Sequence, residues 1–74
     1  MKQKKKFDVY YVGRGYGCYA EDYSKEYVGS TWAVSSKQAC NNLTYRTGRH
    51  PEFVEDWYGE GWISFDYEAV EVEG

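Results

Sequence analysis

Apolar and polar residues alternate in the first part of the chain, and this two-residue period predicts β-strands. Phe7, Val9 and Tyr11 occupy every second position, so residues 6–13 are predicted to form the first strand. The glycine-rich stretch 13–17 then breaks the pattern and is expected to form a loop that needs positive φ angles. A second strand is predicted over residues 27–34, and two strands this close in sequence indicate an antiparallel hairpin.

A helix is predicted directly after the second strand. Ser35 lies three residues before Gln38, which is the spacing of a capping box at a helix start. Small and apolar residues then recur at helical spacing, namely Ala39, Cys40, Leu43 and Thr47. Gly48 is well placed to end the helix. Residues 36–47 are therefore predicted to form one amphipathic helix that lies close against the sheet.

The last third of the chain has two patterns. Residues 52–58 have the spacing of a short helical turn, although they could also pair as a strand with the C-terminal segment. From Ile63 onward, apolar residues alternate with acidic or polar ones, which predicts a strand with one dry face. At Val70 the apolar residues move from odd-numbered to even-numbered positions. We therefore expect either a β-bulge near Glu68 and Ala69 or the end of the strand there.

These elements predict a small α+β fold in the order strand-strand-helix-strand. The expected sheet is antiparallel with three strands, or four if residues 52–58 pair, and the helix packs on one face. The 74 residues form a single domain in which residues 1–5 are expected to be a disordered basic tail. Aliphatic residues are scarce but Tyr, Trp and Phe make up 20% of the chain, so the core should be aromatic.

Charge is distributed unevenly along the chain. All nine Lys and Arg residues lie within residues 1–49, whereas residues 50–74 carry eight carboxylates and no basic residue. One interpretation is internal neutralisation. If the last strand pairs beside the first, its carboxylates lie near Lys4, Lys5 and Lys6 and need no partner.

A second interpretation treats the acidic, aromatic C-terminal third as a surface that binds a protein partner with a basic groove. A small inhibitor or accessory protein of phage or mobile-element type could occupy such a groove by imitating phosphates. The predicted contact residues are Trp57, Tyr58, Glu60, Trp62, Asp66, Tyr67, Glu68 and Glu71. This is the function that we expect.

The alternative function is binding of single-stranded nucleic acid. The lysines of residues 2–6 and Arg14, within the Gly13–Gly17 stretch, combine cations with nearby tyrosines, as single-stranded nucleic acid prefers. The sequence pI of about 5.0 argues against strong binding of a polyanion. Nucleic acid is therefore the less favoured partner.

The remaining chemistry points away from an enzyme. His50 is the only histidine, Cys18 and Cys40 lack metal-site spacing, and no catalytic residue, metal ligand or cofactor is predicted. Both thiols are expected to be free and buried, with a bridge between them as the alternative. No apolar run suits a signal peptide or a membrane span. We therefore expect a cytoplasmic protein with no membrane partner, either monomeric or weakly homodimeric.

Overall fold

The structure is a computed structural model in which residues 3–72 are described. It contains one helix and four strands, in the order β1 (Lys5–Gly17), β2 (Tyr23–Ala33), α1 (Ser36–Thr47), β3 (Glu52–Glu55) and β4 (Gly61–Glu71). The strands form one antiparallel sheet with the order β2-β1-β4-β3. The α+β class, the helix on one face and the four-stranded option are thus confirmed.

Strand β1 is longer than the sequence predicts, because the glycines of residues 13–17 continue it. The prediction of a loop there was wrong. A Cβ atom at Gly13 would lie 2.7 Å from Cε1 of Phe65, and one at Gly15 would collide with the carbonyl oxygen of Tyr19. Glycine is needed here for close approach by neighbouring side chains and backbone rather than to end the strand. Strand β1 also begins at Lys5, inside the predicted tail, whose residues 1 and 2 lie outside the described part.

Helix α1 has the predicted bounds. The Ser35 hydroxyl accepts a hydrogen bond from the Gln38 backbone N–H at 3.2 Å, and the Gln38 side chain accepts one from the Val34 N–H at 2.7 Å. The helix ends at Gly48, whose φ of 72° lies in the left-handed region. Ala39 and Leu43 are fully buried against the sheet.

The core lies between α1 and the central strands β1 and β4. Phe7, Val9 and Tyr11 of β1 alternate into it, and Tyr67 of β4 lies opposite Tyr11. The Tyr11 and Tyr67 rings meet edge to face with centroids 5.0 Å apart. Aromatic rings thus fill the space beneath the small residues of the helix, as the composition predicts.

Two predictions for the last third are corrected. Glu52–Glu55 is a strand, not a helical turn, because it pairs with β4 along its whole length. Strand β4 contains no bulge and does not end at Glu68, since it pairs with β1 in unbroken register from Gly61 to Glu71. The strand needs no bulge there, because Ala69 continues the buried face of β4, whereas Val70 points to the other face and stays exposed. The bulge lies instead in β2, where Gly29 has a φ of 144°.

Helix α1 covers only one face of the sheet. We call the opposite face the open face. Strand alternation and register place on it Lys6, Asp8, Tyr10, Val12, Arg14 and Tyr16 of β1, Tyr23, Lys25, Tyr27, Ser30 and Trp32 of β2, Trp62, Ser64, Asp66, Glu68 and Val70 of β4, and Phe53 and Glu55 of β3. The molecule is elongated, with extents of 49 × 21 × 19 Å. Within residues 3–72, α1 is the sole helix and is too short and polar to cross a membrane.

Candidate functional site: an acidic tip of the sheet

Two loops meet at the end of the sheet far from the start of β1. One loop, residues 18–22, joins β1 to β2, and the other, residues 56–60, joins β3 to β4. The Cys18 N–H donates to the Glu60 carbonyl oxygen at 3.2 Å. A Cβ atom at Gly17 would collide with that same oxygen, so glycine is required for this approach. We call this surface, with the adjoining Glu55, the acidic tip.

Asp56 holds the two loops of the acidic tip together. Its Oδ1 accepts a hydrogen bond from the Tyr19 hydroxyl at 2.9 Å, and its Oδ2 accepts one from the Tyr58 N–H at 3.2 Å. Its backbone N–H donates to the Gly61 carbonyl oxygen, and its own carbonyl accepts from the Gly59 N–H. One half-buried carboxylate therefore fixes the conformation of the loop that carries Trp57 and Tyr58.

The aromatic residues of this loop are directed to solvent. Trp57 is 91% exposed and Tyr58 is 80% exposed. The two loops and the adjoining end of β3 carry five carboxylates, those of Glu21, Asp22, Glu55, Asp56 and Glu60. No Lys or Arg belongs to either loop, and none of the ion pairs found among residues 3–72 involves these five groups. The acidic tip thus combines unneutralised negative charge with large exposed rings.

The carboxylates of the acidic tip raise the pKa values of two neighbouring groups, the Tyr19 hydroxyl and the Cys18 thiol. The pKa of the Tyr19 hydroxyl is raised by its hydrogen bond to Asp56 and by the charge of that carboxylate. The pKa of the Cys18 thiol is raised by partial desolvation and by the charges of Asp56 and Glu60. Although residue Cys18 is exposed, its sulfur lies against the backbone of Gly61. The thiol is therefore kept protonated, which is the opposite of an activated nucleophile.

The structure divides the predicted contact residues among several places. Trp57, Tyr58 and Glu60 lie on the acidic tip, and Trp62 lies beside it on the open face, where it stacks on Tyr16 with ring centroids 5.3 Å apart. Asp66 is exposed further along the open face.

The other three predicted residues make contacts within the domain. Tyr67 is buried, and its hydroxyl donates to the Arg49 carbonyl oxygen at 2.7 Å, so this ring is not available to a partner. Glu68 lies 3.9 Å from Lys25 and 4.0 Å from Arg14. Glu71 pairs with Lys5 at 3.3 Å. Internal neutralisation therefore describes this part of β4, while Glu73 lies outside the described residues.

The carboxylates and the hydrogen-bonding tyrosine of the acidic tip that were not among the predicted contacts are Tyr19, Glu21, Asp22, Glu55 and Asp56. The sequence places the first three far from the last two, so only the pairing of β1 with β4 brings them together. The run of carboxylates on both sides of Trp57 was the one local signal that could have added Glu55 and Asp56.

The predicted nucleic-acid site is spread along the whole of β1, with Lys6, Tyr10, Arg14 and Tyr16 on the open face. Gly13–Gly17 belongs to a strand, so Arg14 lies beside Glu68 rather than on a free loop. Lys5 lies at the far end of β1 and pairs with Glu71. Arg14 and Lys5 thus lie far apart along β1, and each is close to a carboxylate.

A depression on the helix side of the sheet has a volume of about 360 Å³. It is lined by Tyr11, Gly48, Arg49, His50, Glu52 and Phe65. Arg49 is not free to meet a ligand there, because its guanidinium stacks on Tyr11 and donates to Glu26 at 2.9 Å.

His50 is exposed after the helix, and across residues 3–72 no group of His, Cys, Asp and Glu is arranged to hold a metal ion. Both cysteines are free, Cys40 half-buried and Cys18 exposed rather than buried.

Comparisons of the chain with protein-family models, with curated proteins and with solved structures find no match.

Proposed function

We propose that this protein is a non-enzymatic binding module that inserts its acidic tip into a basic surface on a partner protein. The observation that carries the proposal is the pair Trp57 and Tyr58, which are largely exposed on a tip whose loops carry carboxylates and no Lys or Arg. Trp and Tyr are enriched among the residues that dominate binding energy at protein interfaces. Surrounding charge directs such anchors to a surface of opposite sign.

The long shape of the molecule supports this proposal. Twelve residue steps separate Lys5 from Gly17 along β1, which corresponds to roughly 40 Å at the usual strand rise. Charges are screened over about 8 Å at physiological ionic strength. The lysines at the start of β1 therefore cannot cancel the field of the acidic tip, whereas Glu68 and Glu71 are neutralised by cations beside them.

The same charge favours a protein partner over nucleic acid. Phosphates are repelled by five carboxylates on one surface, and a basic protein groove is attracted to them. Arg14 and Lys5, which the alternative function requires, lie close to Glu68 and Glu71. The protonated Cys18 thiol and the absence of any basic side chain in the two loops also favour binding over catalysis.

The proposal is tested with two sets of variants that remove equal charge. The tip variant carries Glu21→Gln, Glu55→Gln and Glu60→Gln, and leaves Asp56 intact because that residue holds the loops. The matched control carries Asp66→Asn, Glu68→Gln and Glu71→Gln on β4. A Trp57→Ser variant tests the aromatic anchor separately, and all variants should retain the wild-type circular dichroism spectrum.

The binding experiment uses affinity capture from the native host at two salt concentrations, followed by titration of the purified captured protein. We expect the tip variant and Trp57→Ser to lose binding, the β4 control to keep it, and the salt dependence of the wild type to be reduced in the tip variant. Equal binding by both charge variants would contradict the proposal. Tight wild-type binding to a single-stranded oligonucleotide at low salt would support the alternative function instead.

A further inference from the structure

The two edges of the sheet differ in how well they are protected against pairing with another strand. At the β2 edge, the bulge at Gly29 interrupts the strand, and Lys25 places an exposed charge on it. The Arg46 guanidinium also donates to the Ser30 carbonyl oxygen of β2 at 2.9 Å. Bulges, edge lysines and covered backbone groups all oppose pairing with a foreign strand. The β3 edge has neither a bulge nor a lysine, and all four of its residues are exposed.

The free backbone groups of β3 follow from its ladder with β4. The Asp56 N–H donates to the Gly61 carbonyl oxygen at 2.8 Å, directly beyond the last paired residues of the two strands. Consecutive residues of an antiparallel strand direct their N–H and C=O groups to opposite sides. Those of Phe53 and Glu55 therefore point away from β4, where no strand lies among residues 3–72. Two donors and two acceptors are thus in place for an added strand.

The side chains of β3 indicate which strand fits. Phe53 and Glu55 lie on the open face, and Glu52 and Val54 lie on the helix side. Phe53 is 61% exposed and Val54 is 51% exposed, although both are apolar. None of the ion pairs found within residues 3–72 involves Glu52 or Glu55. The β3 edge thus offers two apolar contacts between two carboxylates that have no cation of their own.

A strand antiparallel to β3 meets these residues in the order Glu55, Val54, Phe53 and Glu52. Cross-strand pairs are stabilising when both side chains are apolar or when their charges are opposite. The complementary segment therefore has the pattern basic-apolar-apolar-basic. Its second apolar residue lies opposite Phe53, whose ring already contacts Trp62 with centroids 6.2 Å apart. An added side chain there would extend the aromatic row of the open face by one strand.

A second copy of this chain does not have this pattern at its own β3. Glu52, Glu55 and the adjoining Asp56 give each edge three carboxylates and no cation. Pairing of two β3 edges about Val54 would place Glu52 of each copy opposite Asp56 of the other. Like charges directly opposite each other are destabilising. Charge complementarity therefore selects a basic strand from a different protein.

We propose that the β3 edge binds an extended segment of the partner protein as a fifth strand, antiparallel to β3 and with the pattern basic-apolar-apolar-basic. The inference rests on the proposed function, because it requires a basic protein partner. It adds that this partner contributes a strand. Glu55 belongs both to the β3 edge and to the acidic tip, so one partner can contact both surfaces.

The probe is a capped synthetic peptide with Lys-Val-Tyr-Lys at its centre and Gly-Ser flanks, and the matched control peptide has Val-Lys-Lys-Tyr instead. Both are titrated to about 1 mM into the full ¹⁵N-labelled chain and followed by NMR. We expect the control peptide to bind about tenfold more weakly, because it has the same composition but misplaces four cross-strand contacts. At saturation, the first peptide should slow amide hydrogen exchange of Phe53 and Glu55 by at least about tenfold.

Two changes test the ladder and its register. N-methylation of the first and third residues of the Lys-Val-Tyr-Lys segment removes the N–H groups that face β3 and should abolish binding, whereas methylation of the second and fourth should not. Glu52→Lys should weaken binding of the original peptide and favour one with Glu in place of its last Lys. Glu21→Lys, the same charge change on the other loop of the acidic tip, should leave that order of preference unchanged.

Equal binding of the two peptides, no binding of the first peptide at about 1 mM, or binding that survives both methylation patterns would overturn the inference. The captured partner separates it from the proposed function. A complex that is lost in Trp57→Ser but shows no exchange protection at Phe53 and Glu55 would overturn the inference and leave the proposed function standing. Protection at these two amides in a complex that survives Trp57→Ser would support the inference and contradict the proposed role of the tip.

Discussion

Tyr67→Phe should destabilise the domain, because it removes a hydroxyl group that joins β4 to the end of the helix. The Tyr67 hydroxyl donates to the Arg49 carbonyl oxygen at 2.7 Å and lies 2.7 Å from Thr47 Oγ1. Thr47 Oγ1 can also donate to the Leu43 carbonyl oxygen at 2.8 Å, so its proton keeps a partner in the variant. The bond to Arg49 is the contact that is lost outright.

The size of the effect depends on how many bonds are lost. One neutral hydrogen bond contributes about 1 kcal/mol net, and an unsatisfied buried partner raises the cost to about 3 kcal/mol at most. Arg49 is an exposed residue, so water can reach its carbonyl and the lower figure applies. For a domain of this size, about 1 kcal/mol corresponds to a Tm decrease of roughly 4–8 °C.

The assay is thermal and urea unfolding followed by circular dichroism, with Tyr45→Phe as the control. Tyr45 is 88% exposed, so removal of its hydroxyl should change stability by less than about 0.5 kcal/mol. Tyr67→Phe should leave the binding of the acidic tip unchanged, since this residue is buried away from it. Equal unfolding midpoints for the two variants would refute the assigned role of the Tyr67 hydroxyl.

Two further predictions concern the helix start and alkaline pH. Ser35→Ala should cost about 0.5–2 kcal/mol in urea unfolding because it removes the cap, whereas Ser36→Ala, one position into the helix, should be close to neutral; similar losses in both would contradict the cap. The folded pKa values of Cys18, Tyr11 and Tyr19 are raised above their ordinary values of 9.0, 10.0 and 10.0, so the unfolded chain loses these protons first. Stability should therefore be constant below about pH 8.5 and decrease as the pH rises through these pKa values, and urea midpoints that do not fall between about pH 8 and pH 11 would contradict the shifts.

Local signals in the sequence were sufficient for the helix. The cap at Ser35, the reciprocal Gln38 and the glycine at position 48 act within one or two turns, so their outcome depends little on the rest of the chain. Alternation also identified the buried faces of β1 and β4, because the two-residue period directly reflects one buried face. In β2 it located the strand but not its buried face, since Thr31 and Ala33 are buried whereas the larger Trp32 is exposed.

The misassigned segments are those whose conformation depends on a distant strand. Gly13 and Gly15 look like strand breakers in isolation, yet they are strand residues because Phe65 and Tyr19 occupy the space that a side chain would fill. Four residues, Glu52–Glu55, are too few to show a period, and only pairing with β4 makes them a strand. Val70 interrupted the expected alternation of β4 because an apolar residue can remain on an exposed face of a sheet.

The sequence by itself determined the α+β class, the helix and the concentration of acidic residues after residue 50, since each depends on neighbours along the chain. Tertiary structure decided which carboxylates are neutralised. Pairing of β4 with β1 brings Glu71 to Lys5 and Glu68 to Lys25, but places Asp56 and Glu60 at the far end beside the loop that carries Glu21. Charge interactions depend on distance in space and are screened within about 8 Å, so only the fold could separate the neutralised carboxylates from the acidic tip.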